Sequence, residues 1–130
     1  MGAKHILVIE DDSDMAGMID ELLRLNGYET RLAADGATAL TLCREFSPDA
    51  IILDYMLPTM GGAALHEELR KSDYGRNIPV LFLSALPERE LRRGAAFDGL
   101  TYYMSKPYRA NEFVAVIGQI LALGVNPAGF

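Results

Sequence analysis

The segment Asp49-Ala50-Ile51-Ile52-Leu53-Asp54-Tyr55-Met56-Leu57-Pro58 constrains the fold of this chain more than any other. An unbroken apolar run leads into Asp54, and Pro58, Gly61 and Gly62 follow closely. Such a run, bounded by turn formers, reads as a buried strand that ends at a carboxylate and opens into a loop. In open α/β sheets the crevice outside the carboxyl ends of the strands is where ligands bind. Asp54 is therefore a candidate for chemistry. The competing reading is that it merely starts the loop, as aspartate often does.

The rest of the chain repeats the pattern. Ile6-Leu7-Val8-Ile9 is continuously apolar, which suits a parallel strand covered on both faces, and it ends in Glu10-Asp11-Asp12. From Ser13, read as an N-cap, Met15, Met18, Ile19, Leu22 and Leu23 recur at helical spacing until Asn26-Gly27. Glu29 to Ala33 is short and alternating, as expected near a sheet edge. Asp35-Gly36 then turns the chain into a helix carrying Ala37, Leu40 and Cys43 and closed by Pro48. Leu65 and Leu69 mark a third helix, with Glu67, Glu68, Arg70 and Lys71 on its other faces. Pro79 to Leu83 is a further apolar strand ending in Ser84, and Pro87 opens a weakly patterned fourth helix around Leu91, Gly94 and Ala95. Thr101 to Met104 reads as the last strand, followed by Ser105-Lys106-Pro107. The last helix carries Phe113, Val116, Ile117, Ile120 and Leu121 before Gly124. Strands alternating with helices about five times predict a doubly wound five-stranded parallel sheet over residues 1–124, with 125–130 as an unstructured tail.

A chain of 130 residues, half of them hydrophobic, supports one core and not two. Its net charge of -6 works against attraction to nucleic acid or anionic lipid. The single cysteine, Cys43, leaves no intramolecular disulfide or cysteine-based zinc site, and the expected compartment is the reducing cytoplasm. No apolar run approaches the roughly 20 residues of a membrane span, and Ile6 to Ile9 is too short for a signal-peptide core.

In a parallel sheet the tips of the first, third, fourth and fifth strands share one edge, which places Glu10, Asp11, Asp54, Ser84 and Lys106 there. Crowded carboxylates raise one another's pKa unless a cation neutralises them. Oxygen-only ligands without His or Cys favour Mg²⁺, and a lysine and a hydroxyl opposite suit phosphate oxygens. A carboxylate nucleophile, a metal, a hydroxyl donor and a point cation are what an acyl phosphate on Asp54 requires. Singly, each residue has an ordinary explanation as a solvated loop, a turn former or a surface charge. Four strand tips matching one site favour the joint explanation.

These residues resemble the receiver domain of two-component response regulators. Ile6-Leu7-Val8-Ile9-Glu10-Asp11-Asp12 is similar to that family's acidic-pocket strand. Leu53-Asp54-Tyr55-Met56-Leu57-Pro58-Thr59-Met60-Gly61-Gly62 is similar to its phosphoacceptor segment, and Leu83-Ser84-Ala85 and Ser105-Lys106-Pro107 to its two remaining motifs. The resemblance spans essentially the whole chain and implies a flavodoxin-like (βα)5 fold. It further implies that Asp54 accepts a phosphoryl group from a histidine kinase or histidine phosphotransfer protein. Asp11, Asp54 and the main-chain carbonyl of Met56 would ligate Mg²⁺, with Glu10 reaching the metal through water. Ser84 would bond a phosphoryl oxygen, Lys106 would pair with it, and Tyr103 stands where the family carries an aromatic that follows the hydroxyl's movement. Such a chain catalyses only its own phosphorylation and dephosphorylation. Its altered face, over the fourth helix and fifth strand, would bind a downstream protein or neighbouring domain rather than DNA.

Two departures stand out. Receivers that dimerise through the fourth helix, fifth strand and fifth helix usually carry acidic residues before the aromatic of that strand, and arginines on the last helix. Here Thr101, Tyr102, Val116 and Gly118 occupy those places. Gly61 also replaces the acidic or amide residue common before the second glycine.

Among rivals, a phosphatase of the haloacid dehalogenase type wants a second acid two residues after the nucleophile, where this chain has Met56. Nucleotide-binding glycine motifs are absent from the sequence. A receiver-like module acting without phosphorylation is disfavoured by the intact Glu10, Asp11, Asp54, Ser84 and Lys106. His5 and His66 read as surface residues. Tyr102 and Tyr108 flank the lysine motif as partner contacts or as half-buried side chains.

Overall fold

The computed structural model describes residues 2–57, 60–86, 89 and 99–124. Its strands are β1 (His5–Ile9), β2 (Glu29–Ala33), β3 (Ala50–Asp54), β4 (Val80–Ser84) and β5 (Thr101–Ser105). Its helices are α1 (Ser13–Leu25), α2 (Gly36–Phe46), α3 (Gly62–Lys71) and α4 (Ala110–Gly124). The helix expected from Pro87, with Leu91, Gly94 and Ala95, lies outside the described residues, as do Pro58 and the tail from Val125.

The strands form one sheet in the order β2-β1-β3-β4-β5, with every neighbouring pair parallel. This is the doubly wound parallel sheet expected from the alternating strands and helices, in the flavodoxin-like arrangement that the family resemblance implies. Ile6 to Ile9 and all of β3 and β4 are buried, because helices cover both faces of the central strands. Alternation along each strand divides the core. Leu7, Ile9, Ile51, Leu53 and Phe82 pack against Ala39 and Cys43 of α2 and Leu65 and Leu69 of α3. On the other face, Ile6, Val8, Ile52, Leu81 and Leu83 meet Ile19 and Leu23 of α1 and Phe113 and Ile117 of α4. Strand β2 lies at the edge, and its Leu32 is exposed.

Strand register aligns the functional edge. Ile9 pairs with Leu53, Asp54 with Leu83, and Ser84 with Ser105. Glu10 and Asp54 therefore share one row, with Ser84 one residue and Lys106 two residues past it. Main-chain bonds from Glu10 N–H to the Ala33 carbonyl at 2.9 Å and from Lys106 N–H to the Ser84 carbonyl at 2.8 Å extend the ladder into that row.

Several local expectations change. Asp12, not Ser13, caps α1, its carboxylate accepting from the N–H groups of Asp14 at 2.9 Å and Met15 at 3.1 Å. Met18 is 67 % exposed, since α1 carries more apolar residues than one face can bury and Ala16, Ile19 and Leu23 take the sheet side. In α2 the buried positions are Gly36, Ala39 and Cys43, while Ala37 faces out. Asp35 caps that helix through Thr38, and these bonds lower its pKa. Burial pushes the Cys43 thiol up to about 11. His66 is not a surface residue. It shares the buried stripe of Gly62, Leu65 and Leu69, and its Nε2 lies 2.7 Å from Thr101 Oγ1. Arg70 is likewise turned inward, donating to the carbonyls of Gly75 at 3.0 Å and Ile78 at 2.7 Å.

The glycine at the start of α3 is required by space. A Cβ on Gly62 would lie 2.7 Å from both Cα and the carbonyl oxygen of Tyr55, whereas one on Gly118 of α4 would meet nothing within 4 Å. Gly62→Ala should therefore destabilise the protein by about 1–3 kcal/mol through overpacking against backbone. Gly118→Ala should stabilise it by roughly 0.5–1 kcal/mol through helix propensity. Urea denaturation of the two variants checks both signs.

Candidate functional site

Three carboxylates converge at the row just described. Glu10, Asp11 and Asp54 each offer an oxygen within 4.8 Å of the others. The acidic run after β1 divides its labour by backbone geometry: Asp12 is spent on capping α1, Glu10 turns inward and is 5 % exposed, and Asp11 faces solvent. Asp54 is 8 % exposed at the tip of β3, and its Oδ1 accepts from the Met56 N–H at 3.1 Å, which fixes the rotamer. Lys106 enters from the end of β5. Its Nζ stands 3.7 Å from Glu10 Oε1 and 3.8 Å from Asp54 Oδ1, one ammonium serving two carboxylates.

Ser84, buried at the tip of β4, uses its Oγ to accept from the Leu86 N–H at 3.1 Å and so holds the start of the following loop. Tyr103 lies one strand further along. Its half-buried ring stacks on Phe82 at 5.7 Å between centroids. The fold thus brings Glu10, Asp11, Asp54 and Lys106 into direct electrostatic contact, with Ser84 on the adjoining strand and Tyr103 displaced toward the α3 face. Gly61, just before α3, has φ +83, a left-handed conformation that suits glycine and explains its departure from a side-chain-bearing residue.

The donor set fits a hard divalent cation. All three groups are carboxylates, and Glu10 Oε1 is buried without a hydrogen-bond partner. Among the described residues, Lys106 is the cation paired with two of these three acids, Glu10 and Asp54. Such a surplus of negative oxygen favours Mg²⁺ over metals that prefer nitrogen or sulfur.

Sequence reasoning missed a groove beside the site. Met15, Met18, Ala85, Lys106, Pro107 and Tyr108 enclose about 390 Å³, and the apolar surface continues along α1 past Leu22 to Leu25. The surplus of apolar positions in α1 was the available signal, because a stripe wider than a helix can bury must leave part of itself outside. Tyr108 proves half-buried, stacked on Phe113 at 5.2 Å, and its pKa is raised by burial and by Glu10. Among the described residues no helix is long and apolar enough to cross a membrane.

Burial pushes the Glu10 carboxyl up to about 7 from 4.5, helped by the facing Asp54 and opposed by Asp12 N–H and Lys106. The folded protein therefore holds this proton more tightly than the unfolded chain. That contribution to stability is complete below pH 4.5 and is lost as pH rises through about 7. In EDTA, wild-type stability relative to Glu10→Gln should fall across this window by at most about 3 kcal/mol. Parallel urea titrations of the two proteins measure it.

Comparison with known proteins agrees with this geometry. The family model described as response regulator receiver domain matches residues 6–118. The transcriptional regulatory protein PrrA of Mycobacterium tuberculosis is 37% identical over 117 residues, covering 90% of this chain and 49% of the regulator. The sensor histidine kinase TmoS of Ectopseudomonas mendocina is 32% identical over 121 residues, 93% of this chain but 12% of the kinase. The chain thus spans half or less of the length of these relatives. A solved receiver domain from a Pseudomonas aeruginosa sensor histidine kinase, with a magnesium ion coordinated in its active-site cleft, superimposes with a TM-score of 0.83. It is 28% identical, over 93% of this chain and 99% of that one. The chemotaxis protein CheY4 of Vibrio cholerae shares the fold, with a TM-score of 0.85 at 24% identity over 92% of this chain and 99% of that one. With its five-stranded parallel sheet and its converging strand-tip acids, this chain belongs to the response regulator receiver domain family.

Proposed function

We propose that this chain is a phosphorylation-activated switch in which Asp54 accepts a phosphoryl group from a histidine kinase or histidine phosphotransfer protein, with Mg²⁺ as cofactor. The observation that carries this reading is the single Lys106 ammonium set between Glu10 and Asp54, with Asp11 beside them. That cluster leaves room in charge for one divalent cation and one phosphoryl group. The switch unit is residues 1–124.

Asp54 is the nucleophile. One of its carboxylate oxygens forms a bond to phosphorus as the phosphorus–nitrogen bond of a phosphohistidine breaks, and the departing imidazole nitrogen keeps the bonding pair and takes up a proton. Asp11, Asp54 and the Met56 carbonyl, with Glu10 through water, would hold Mg²⁺, which would supply charge neutralisation for the phosphoryl oxygens. Lys106, already 3.8 Å from Asp54 Oδ1, pairs with the transferred group. Ser84 lends its hydroxyl to another phosphoryl oxygen, which draws the loop it now holds through Leu86. Tyr103 then answers that movement and biases the face around β5 toward a downstream protein or neighbouring domain. Positioning and electrostatics suffice for the transfer, so no separate substrate is turned over.

The groove beside Lys106 supports a protein donor. Its apolar wall of Met15, Met18, Pro107 and Tyr108 reaches the site itself, which suits a helix that carries the phosphohistidine and lays an apolar side against α1. The unpaired Cys43 is consistent with the reducing cytoplasm in which such relays operate.

Incubation with acetyl phosphate and Mg²⁺ should place one phosphoryl group on the peptide containing Asp54, read by mass spectrometry. Asp54→Asn and EDTA should each abolish it, while equal labelling of the Asn variant would sink the reading. No labelling of the wild type would favour a module that works unphosphorylated. Calorimetry should show Asp11→Asn weakening Mg²⁺ binding by at least about tenfold, or ~1.4 kcal/mol.

A further inference from the structure

Phe82, wholly buried in the middle of β4, is touched by rings from three other segments. Tyr55, the residue after Asp54, meets it edge-on with centroids 5.5 Å apart and planes at 72°. His66 of α3 lies at 5.4 Å and 45°, and Tyr103 of β5 stacks at 5.7 Å and 17°. Phe82 and Tyr103 are also cross-strand partners. The residue next to the candidate phosphoacceptor and the candidate switch aromatic therefore share one neighbour.

Helix α3 joins the same two places. Its first residue is pressed onto the Asp54 loop: Gly62 N–H donates to the Tyr55 carbonyl at 2.8 Å, and a Cβ there would lie 2.9 Å from the Asp54 carbonyl oxygen. Farther along, His66 Nε2 is 2.7 Å from Thr101 Oγ1, and Arg70 donates to the Leu100 carbonyl at 3.2 Å and to Thr101 Oγ1 at 3.4 Å. A ten-residue helix is a stiff rod of about 15 Å. This one is fixed at one end to the Asp54–Tyr55 peptide and along its inner side to the start of β5.

We propose that His66 is a positioning residue for the switch. Through its bond to Thr101 and its contact with Phe82, it carries displacement of the Asp54–Tyr55 segment into β5 and so sets where the Tyr103 ring rests, in parallel with the path through Ser84. The inference depends on the phosphoacceptor reading of Asp54. The physical reason is that both side chains are buried and their contact is short, so parting them when α3 shifts costs more than moving together. Packed rings do not compress, so a shift of Tyr55 against Phe82 is passed on to the stacked Tyr103.

Fluorine NMR on the full chain carrying fluorotyrosine separates the two readings, because bound beryllofluoride gives its own signals while the Tyr103 resonance, assigned with Tyr103→Phe, reports the switch. Wild type should load the mimic with Mg²⁺ and shift Tyr103. Thr101→Val, which keeps the side-chain volume, and His66→Leu should load it within about twofold of wild-type affinity yet show less than about half the Tyr103 shift. His66→Gln, whose amide can replace Nε2, should restore most of it. Ser84→Ala should retain part of the shift. A full Tyr103 response in Thr101→Val, or its complete loss in loaded Ser84→Ala, would overturn the His66 route alone. Absence of bound-fluoride signals in the wild type would overturn the phosphoacceptor reading and the His66 route with it.

Discussion

The site depends on the repulsion between Glu10 and Asp54, two carboxylates buried at neighbouring strand tips and bridged by one ammonium. Neither acid is comfortable there alone. Removing a carboxylate from water raises its pKa, and a second one alongside raises it further, as the Glu10 carboxyl shows. Lys106 offsets part of this cost from 3.7 and 3.8 Å, too far for close hydrogen bonds and close enough for attraction. The residual negative charge is of the kind that would suit a divalent cation.

The rest of the fold holds that tension in place. The acids cannot move apart, because the main chain on either side of them is pinned in a parallel ladder of buried apolar strands. Separating them would expose Ile9 or Leu53, or break the bonds that lead Glu10 and Tyr55 out of the sheet. Helix caps finish the job locally: Asp12 orients the loop that presents Asp11, and Gly61 and Gly62 let α3 begin against the Asp54 loop. Burial of the core and convergence of the acids at its edge are thus two consequences of the same strand register.

The two faces of the sheet serve the site differently. On the α1 and α4 side, the apolar surplus of α1 emerges as a groove that reaches Lys106. On the α3 side the core is aromatic around Phe82 and includes a buried polar contact between His66 and Thr101. The first face carries an exposed apolar groove, whereas the second links the loop after Asp54 to β5 through the interior.

The sequence by itself determined the sheet, its parallel sense and the edge at which the candidate site residues meet. Runs such as Ile6 to Ile9 and Ile51 to Leu53 have only one stable fate, burial on both faces, and each ends in a residue too polar to be buried unpaired. Glu10, Asp11, Asp54, Ser84 and Lys106 were legible for that reason. Periodicity could not say which of several apolar stripes on a helix faces the sheet, because that depends on packing partners distant in sequence. Hence Met18 turned outward, Ala39 replaced Ala37, and His66 became a core residue once Thr101 and Phe82 were there to receive it. Only the tertiary structure could likewise separate three consecutive acids into a cap, a buried carboxyl and an exposed one, since their sequence neighbours are nearly identical and their surroundings are not.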